Sequence, residues 1–252
     1  MIPYGRQEIS KEDIAEVVET LKSDFLTQGP KTPLFEKIVA DYCGSKFGVA
    51  ANSATSALHI ACLALDLTKG DWLWTSPNSF VASANCALYC GAQVDFIDID
   101  PLTYNLSTEA LEKKLIQAKQ DNKLPKIVIP VHFAGQSCDM QKIHLLGKEY
   151  GFKIIEDASH AIGGSYLNNK IGICEYSDIT VFSFHPVKII TTAEGGLATT
   201  NERDLFERMQ LFRTHGVTRD PKIMTKETEG AWYYQQVDLG FNYRITELQA
   251  AL

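Results

Sequence analysis

Clustered positive charge is missing from this sequence. Its 252 residues carry 24 Lys and Arg against 31 Asp and Glu, a formal net charge of −7, with no basic run. Phosphate backbones recruit proteins through clustered cations, so nonspecific nucleic-acid binding is disfavoured. Long apolar runs are missing too: nothing approaches the ~20 residues a helix needs to cross a bilayer. The opening MIPYGRQEIS has neither the basic start nor the apolar stretch of a secretory signal, so a cytoplasmic location is expected. The six cysteines (Cys43, Cys62, Cys86, Cys90, Cys138 and Cys174) include no C-x-x-C pair, and several lie in apolar segments, which argues for reduced, buried thiols. There is no internal repeat and no low-complexity linker. Also absent are G-x-G-x-x-G after a strand, G-x-x-x-x-G-K-[ST], G-x-S-x-G and H-E-x-x-H, and with them the chemistries those patterns support.

What is present suits a folded domain. Hydrophobic residues make up 45% and charged residues 22%, enough for a sizeable core in one large α/β domain or two smaller ones. Ser10-Lys11-Glu12-Asp13 has the form of a capping box, and Ile14, Val17, Val18 and Leu21 follow at helical spacing. Asp24 to Pro33 (DFLTQGPKTP) reads as an ordered loop, because a glycine and two prolines break helices and fix turns. Leu34, Phe35, Ile38, Val39 and Tyr42 suggest a second helix, and Ala54, Ala57, Leu58, Ala61, Cys62 and Leu65 a third. Short strands are expected at 47–51, 94–98, 126–131, 152–156, 178–184 and 195–200. The run IVIPV, a polar turn with Cys138 and Asp139, a helix to Tyr150 and then FKIIEDASHA predicts a parallel pair with a right-handed crossover. Parallel sheets bind ligands beyond the carboxyl ends of their strands, where Asp157 and His160 would lie. The last segment, NYRITELQAAL, is still in a helical pattern at Leu252, so the chain reads as truncated.

Several residues could carry chemistry. Lys188 sits between Val187 and the pair Ile189-Ile190, just after an apolar strand. Desolvation there would favour the neutral amine that attacks an aldehyde; equally, its stem could pack on apolar surface with the amine in water. Asp157 could partner a protonated ring nitrogen or simply cap a turn. Asn52-Ser53-Ala54-Thr55-Ser56-Ala57 opens the third helix with small hydroxylated residues, fit for a phosphate or for ordinary capping by Ser53. Ser183 could add a hydroxyl to the same phosphate. Phe80 could stack on a ring or pack in the core. His160 and His185 are further candidates, each able instead to satisfy local backbone. Asp95, Asp98 and Asp100 in VDFIDIDP form a carboxylate cluster that strand alternation and a turn explain more simply than a metal.

Taken together, NSATSALH, EDASHAIGG, FSFHPVKIITTAEGG, RTHG at 213–216 and GFNYR at 240–244 occur in the same order as in the DegT/DnrJ/EryC1/StrS sugar aminotransferase family, which the chain resembles along essentially its whole length. The resemblance implies fold type I of the pyridoxal phosphate enzymes: an α/β large domain with a mostly parallel mixed sheet between helices in three layers, then a small C-terminal domain. Residues 1–33 would form the N-terminal helix and substrate loop and 34–252 the cofactor-binding large domain, the small domain being absent after Leu252. By motif, Lys188 would hold pyridoxal phosphate as a Schiff base and shuttle protons, Asp157 would hold the pyridine nitrogen, and His160 would sit beside the ring with Phe80 over it. Ala54, Thr55 and Ser183 would bind the phosphate or nearby substrate groups. Tyr4 and the loop Asp24, Phe25, Leu26 and Thr27 would line the sugar-nucleotide site. Asn242 would reach the cofactor phosphate of a second subunit, implying a homodimer with shared sites. IPYGRQ, DFLTQGP and the lysine segment resemble most the family members that aminate C4 of a UDP-linked 2-acetamido-2,6-dideoxy-4-keto sugar, with L-glutamate as donor, for pseudaminic acid biosynthesis. Members acting on a UDP-4-keto-pentose share the F-H-x-x-K feature. Related sugar dehydratases carry histidine where Lys188 stands here, and a non-catalytic sensor of the same fold is the alternative from another class.

Overall fold

In a computed structural model that describes residues 5–228 and 230–252, a seven-stranded sheet lies between helices. Its order is β1 (Phe47–Ala51), β9 (Gly196–Thr200), β8 (Ile179–Ser183), β5 (Lys153–Asp157), β4 (Ile127–Ile129), β2 (Trp72–Thr75) and β3 (Gln93–Phe96). Only β9 runs against the rest, pairing antiparallel with both β1 and β8. The predicted strands at 94–98, 126–131, 152–156, 178–184 and 195–200 are present with ends shifted by one or two residues, and 47–51 matches. The expected parallel pair is β4 with β5, in register Val128 with Ile154. Two short hairpins pair Ser165–Tyr166 (β6) with Asn169–Lys170 (β7), and Val217–Thr218 (β10) with Gln235–Gln236 (β11).

Alternation along the strands separates the two layers. Ile127, Ile129 and Ile155 face a core shared with helices α3 (Ala54–Ala64) and α7 (Arg203–Arg213), whereas Val128 and Ile154 face α5 (Thr108–Gln120) and α6 (Met140–Tyr150). The next residues along β5 inherit this parity: Asp157 points to the α3 side, where α4 (Ala82–Tyr89) also lies, and Glu156 to the other.

The N-terminal helix α1 (Lys11–Lys22) carries the predicted capping box. Ser10 Oγ accepts from the Asp13 amide at 3.1 Å and Asp13 Oδ2 from the Ser10 amide at 2.7 Å. Its apolar stripe, however, faces outward, with Ile14, Val18 and Leu21 all exposed. Helix α2 begins at Lys31 and runs to Cys43, so Pro33 lies inside it rather than in the preceding loop. A proline is tolerated there because first-turn amides have no intrahelical partner. Pro30 offers no side-chain cap. Instead Glu247, fully buried in the first turn of α8 (Glu247–Ala251), accepts from the amides of Lys31 at 2.6 Å and Thr32 at 3.1 Å.

All six cysteines are unpaired, and only Cys90 is less than fully buried. No helix among the described residues is long and apolar enough to cross a membrane. The Asp95–Asp100 carboxylates serve local structure: Asp95 pairs with Lys114 at 2.7 Å, and Asp100 Oδ1 accepts from the amides of Leu102 and Thr103 in a turn.

Candidate active site

The carboxyl ends of β4, β5 and β8 and the N-terminus of α3 open onto one cleft of about 700 Å³. Of the sequence candidates, Ala54, Thr55, Phe80, Asp157, His160, Ser183 and Lys188 all line it. Residues scattered over 135 positions thus converge because parallel crossovers return the carboxyl ends of β4, β5 and β8 to the same edge.

Asp157, 4% exposed, ends β5 with both oxygens engaged. Ser83 Oγ donates to Oδ2 at 2.6 Å, and the amide and hydroxyl of Ser159 donate to Oδ1 at 3.1 and 2.6 Å. Donors of this kind fix the direction of a buried carboxylate. Neither serine was recoverable by spacing; Ser83 comes from α4, far from Asp157 in the chain.

Lys188 lies in the turn between β8 and β9, its amide donating to His185 O at 2.9 Å. Its Nζ is 2.6 Å from His160 Nε2. Burial pulls the Lys188 pKa below that of an ordinary lysine, with Asp157 opposing the shift. Burial, reinforced by the neighbouring Lys188, likewise lowers His160, again opposed by Asp157. Burial thus moves both toward neutrality, the state in which an amine is nucleophilic. His185 turns back on its own backbone, Nδ1 accepting from the Val187 amide at 3.3 Å.

At the start of α3, Ser53 Oγ accepts from the Ser56 amide at 3.1 Å. Capping and anion binding coexist here, because a single cap satisfies one of four orphan amides and leaves those of Ala54 and Thr55 for an anion. Behind them the β9 backbone lies so close that a Cβ on Gly196 would meet the Ala54 nitrogen at 2.3 Å. Asn52 Oδ1, also in the cleft wall, is buried without a hydrogen-bond partner. Phe80 lines the cleft and is 74% exposed.

The remaining candidates lie elsewhere. Asp24, Phe25, Leu26 and Thr27 are exposed and outside the cleft lining; the loop is tied to the start of α8 by the Glu247 amide donating to Leu26 O at 3.1 Å and by a bridge between Thr27 and Thr246. Asn242 is exposed, bridged to Thr214, and outside the lining as well. Tyr4 falls outside the described residues. Sequence reasoning passed over His132 and Glu194, both in the wall.

A mixed sheet with one reversed strand, a helix N-terminus and a strand-end carboxylate in one cleft, and a lysine on the β8–β9 turn are the arrangement of the fold type I pyridoxal phosphate-dependent transferases. The family model for DegT/DnrJ/EryC1/StrS aminotransferases matches residues 7–252, and the chain belongs to that family. It is 38% identical over 252 residues to the UDP-4-amino-4,6-dideoxy-N-acetyl-beta-L-altrosamine transaminase of Campylobacter jejuni, covering 100% of this chain and 63% of that protein. Among solved structures it superposes with a TM-score of 0.88 on PseC of Helicobacter pylori, an aminotransferase involved in the biosynthesis of pseudoaminic acid, at 35% identity over 99% of this chain and 63% of that one. A sugar aminotransferase of Streptococcus pneumoniae in its PMP form gives 0.86 at 29% identity, over 100% of this chain and 66% of that one. The chain thus spans a little under two thirds of the length of these relatives.

Proposed function

We propose that residues 34–252 are the cofactor-binding large domain of a cytoplasmic, homodimeric pyridoxal phosphate-dependent aminotransferase. It moves an amino group from L-glutamate to C4 of a UDP-linked 2-acetamido-2,6-dideoxy-4-keto sugar, a step in making pseudaminic acid or a related surface glycan. Family membership supports the reaction class, and similarity to the Campylobacter transaminase supports the sugar. The observation that carries the reading is the amine of Lys188 held 2.6 Å from His160 and facing, in one cleft, an Asp157 carboxylate with every oxygen already hydrogen-bonded.

The residues present fit the cofactor. Free amides of Ala54 and Thr55, with the hydroxyls of Thr55 and Ser183, suit a phosphate. The Asp157 carboxylate suits a protonated pyridine nitrogen, and the exposed Phe80 ring can cover a flat heterocycle. When bound, pyridoxal phosphate supplies an aldehyde and an electron-withdrawing ring. Asp157 would hold the ring nitrogen, and Ser83 and Ser159 fix the direction of its carboxylate. Lys188, with its pKa lowered by burial, would be the residue that holds the cofactor and would carry a proton at Nζ. His160 is placed to orient Nζ. Tyr4 and Asp24–Thr27 are assigned to sugar binding and Asn242 to a second subunit's site; Asp24–Thr27 and Asn242 lie outside this chain's own cleft lining, which suits a dimer that shares its sites.

Borohydride reduction of the full-length protein with pyridoxal phosphate, followed by peptide mapping, tests the assignment. The label is expected on Lys188 and is lost in Lys188→Ala along with glutamate-dependent amination of a 4-keto sugar nucleotide. A label on any other lysine overturns it.

A further inference from the structure

Next to Asp157 along β5, with its side chain on the other face of the strand, Glu156 belongs to a polar group that the proposed chemistry does not use. Glu156 is 5% exposed, yet its carboxylate sits in the core. Oε2 accepts from His132 Nε2 at 2.7 Å, and Oε1 accepts from the hydroxyls of Ser177 at 2.5 Å and Thr180 at 2.9 Å. Burial opposes its ionisation, but hydrogen bonds and attraction from His132, with the two hydroxyls, outweigh this and hold its pKa below that of an ordinary glutamate. The His132 ring is fixed from its other side as well. The Cys138 amide donates to Nδ1 at 3.2 Å, which aims Nε2 at Glu156.

The backbone of the same histidine grips the catalytic strand. The His132 amide donates to Asp157 O at 3.0 Å, and the Asp157 amide donates to Pro130 O at 2.9 Å, closing a parallel bridge between Val131 and Asp157 beyond the end of β4. No regular strand holds this stretch, because β4 ends at Ile129. Beside those backbone hydrogen bonds and that of Cys138 Sγ to Val131 O, the His132 side chain ties residues 130–132 down from the other side, and Glu156 anchors that side chain. A carboxylate buried in a core is costly unless fully satisfied, and a well-packed apolar residue would serve folding as well. Its position fits a further task.

We infer that Glu156 is a positioning residue for Asp157: through His132 it clamps the backbone on both sides of Asp157 and so sets the direction in which that carboxylate enters the cleft. The inference rests on the cofactor reading of Asp157, but its mechanical part does not. Removing the anchor releases the His132 ring, frees the 130–132 backbone and lets the Asp157 carboxylate wander from its mark.

Three variants of the full-length protein test this. In Glu156→Ala, hydrogen exchange at the amides of His132 and Asp157, measured without cofactor, is expected to speed up about tenfold or more over any general change at β1 and β9 amides, the loss of one charged buried hydrogen bond. The dissociation constant for pyridoxal phosphate should rise by a similar factor, and the bound cofactor's absorbance should shift as ring protonation becomes incomplete. Glu156→Gln should restore both to within about twofold, because the Gln oxygen can still accept from Nε2 while the Ser177 and Thr180 hydroxyls turn to accept from its amide. If Glu156→Ala fails to fold, Thr180→Val, which removes one of the other anchors, should show the same exchange pattern more weakly. Exchange that rises uniformly across the sheet, or cofactor affinity unchanged when residues 130–132 loosen, overturns the inference. Failure of the wild-type protein to bind pyridoxal phosphate would instead sink the functional reading, and the exchange comparison would still decide whether Glu156 clamps Asp157.

Discussion

Ser83, on α4, donates its hydroxyl to Oδ2 of Asp157 at 2.6 Å in the floor of the cleft, where Ser83 itself has no exposed surface. A neutral hydroxyl donating to a buried carboxylate is among the stronger hydrogen bonds a side chain makes. Ser83→Ala should weaken pyridoxal phosphate binding by about tenfold, the equivalent of ~1.5 kcal/mol, with little change in far-UV circular dichroism. Fluorescence titration of the cofactor-free protein measures it. Unchanged affinity would mean that Ser159 alone suffices to hold Asp157.

The lowered pKa of His160 makes stability depend on pH with a definite sign. In the unfolded chain the ring protonates near its ordinary 6.5, and in the fold only at lower pH. Above about 6.5 the ring is neutral in both states and costs nothing. As pH falls through this value the unfolded state gains the proton first, so stability drops until the folded-state pKa is passed. The cofactor-free His160→Gln variant should lose that part of the slope as pH falls below 6.5 in urea unfolding; an identical slope would contradict the assignment.

Glu247 joins the two ends of the sequence. It is fully buried, accepts from two amides and the Thr32 hydroxyl at the start of α2, and sits more than two hundred residues away from them. Glu247→Ala leaves those donors unpaired and should cost about 2–4 kcal/mol of unfolding free energy. A loss under ~0.5 kcal/mol in equilibrium denaturation would show that water replaces the carboxylate.

Ala193 adopts a left-handed backbone, φ +63°, in the loop between Lys188 and β9. The conformation costs an alanine about 1–2 kcal/mol, and glycine avoids it while losing part of the gain to its freer unfolded chain. Ala193→Gly should therefore raise stability by about 0.5–1 kcal/mol, read as a higher denaturation midpoint. A lower midpoint would mean that the loop's order depends on the methyl group.

The framework was legible where one segment carries its own signal. β1, β5 and β8 are short apolar runs ended by polar turns, and α1 declares itself through Ser10 and Asp13. β2 escaped notice because Trp72-Leu73-Trp74-Thr75 is brief and shows no alternation; its last three residues are fully buried. The α1 stripe was correctly periodic but faces outward, since periodicity says which residues share a face and not what covers it. In the cleft, Lys188, Asp157 and the start of α3 stood out by residue type against local context. Ser83, Asn52 and the His132–Glu156 pair did not, because a serine, an asparagine or a histidine acquires its meaning only from a partner that crossovers bring to it. The loop 24–27 shows the converse: its motif was visible, while its position against α8 depends on Glu247 and Thr246.

The reversed strand β9 has a consequence for Lys188. Because β8 and β9 are antiparallel neighbours, the segment bearing the lysine is a short hairpin connection pinned at its root: Phe184 donates to Gly195 O at 2.9 Å and accepts from the Thr192 amide at 3.0 Å. An amine on such a leash cannot diffuse away when something displaces it. Loops of this size reclose within about 10–100 ns, far faster than typical turnover. Whatever occupies the cleft therefore meets the same amine again and again, at an effective concentration that no free base in solution could match.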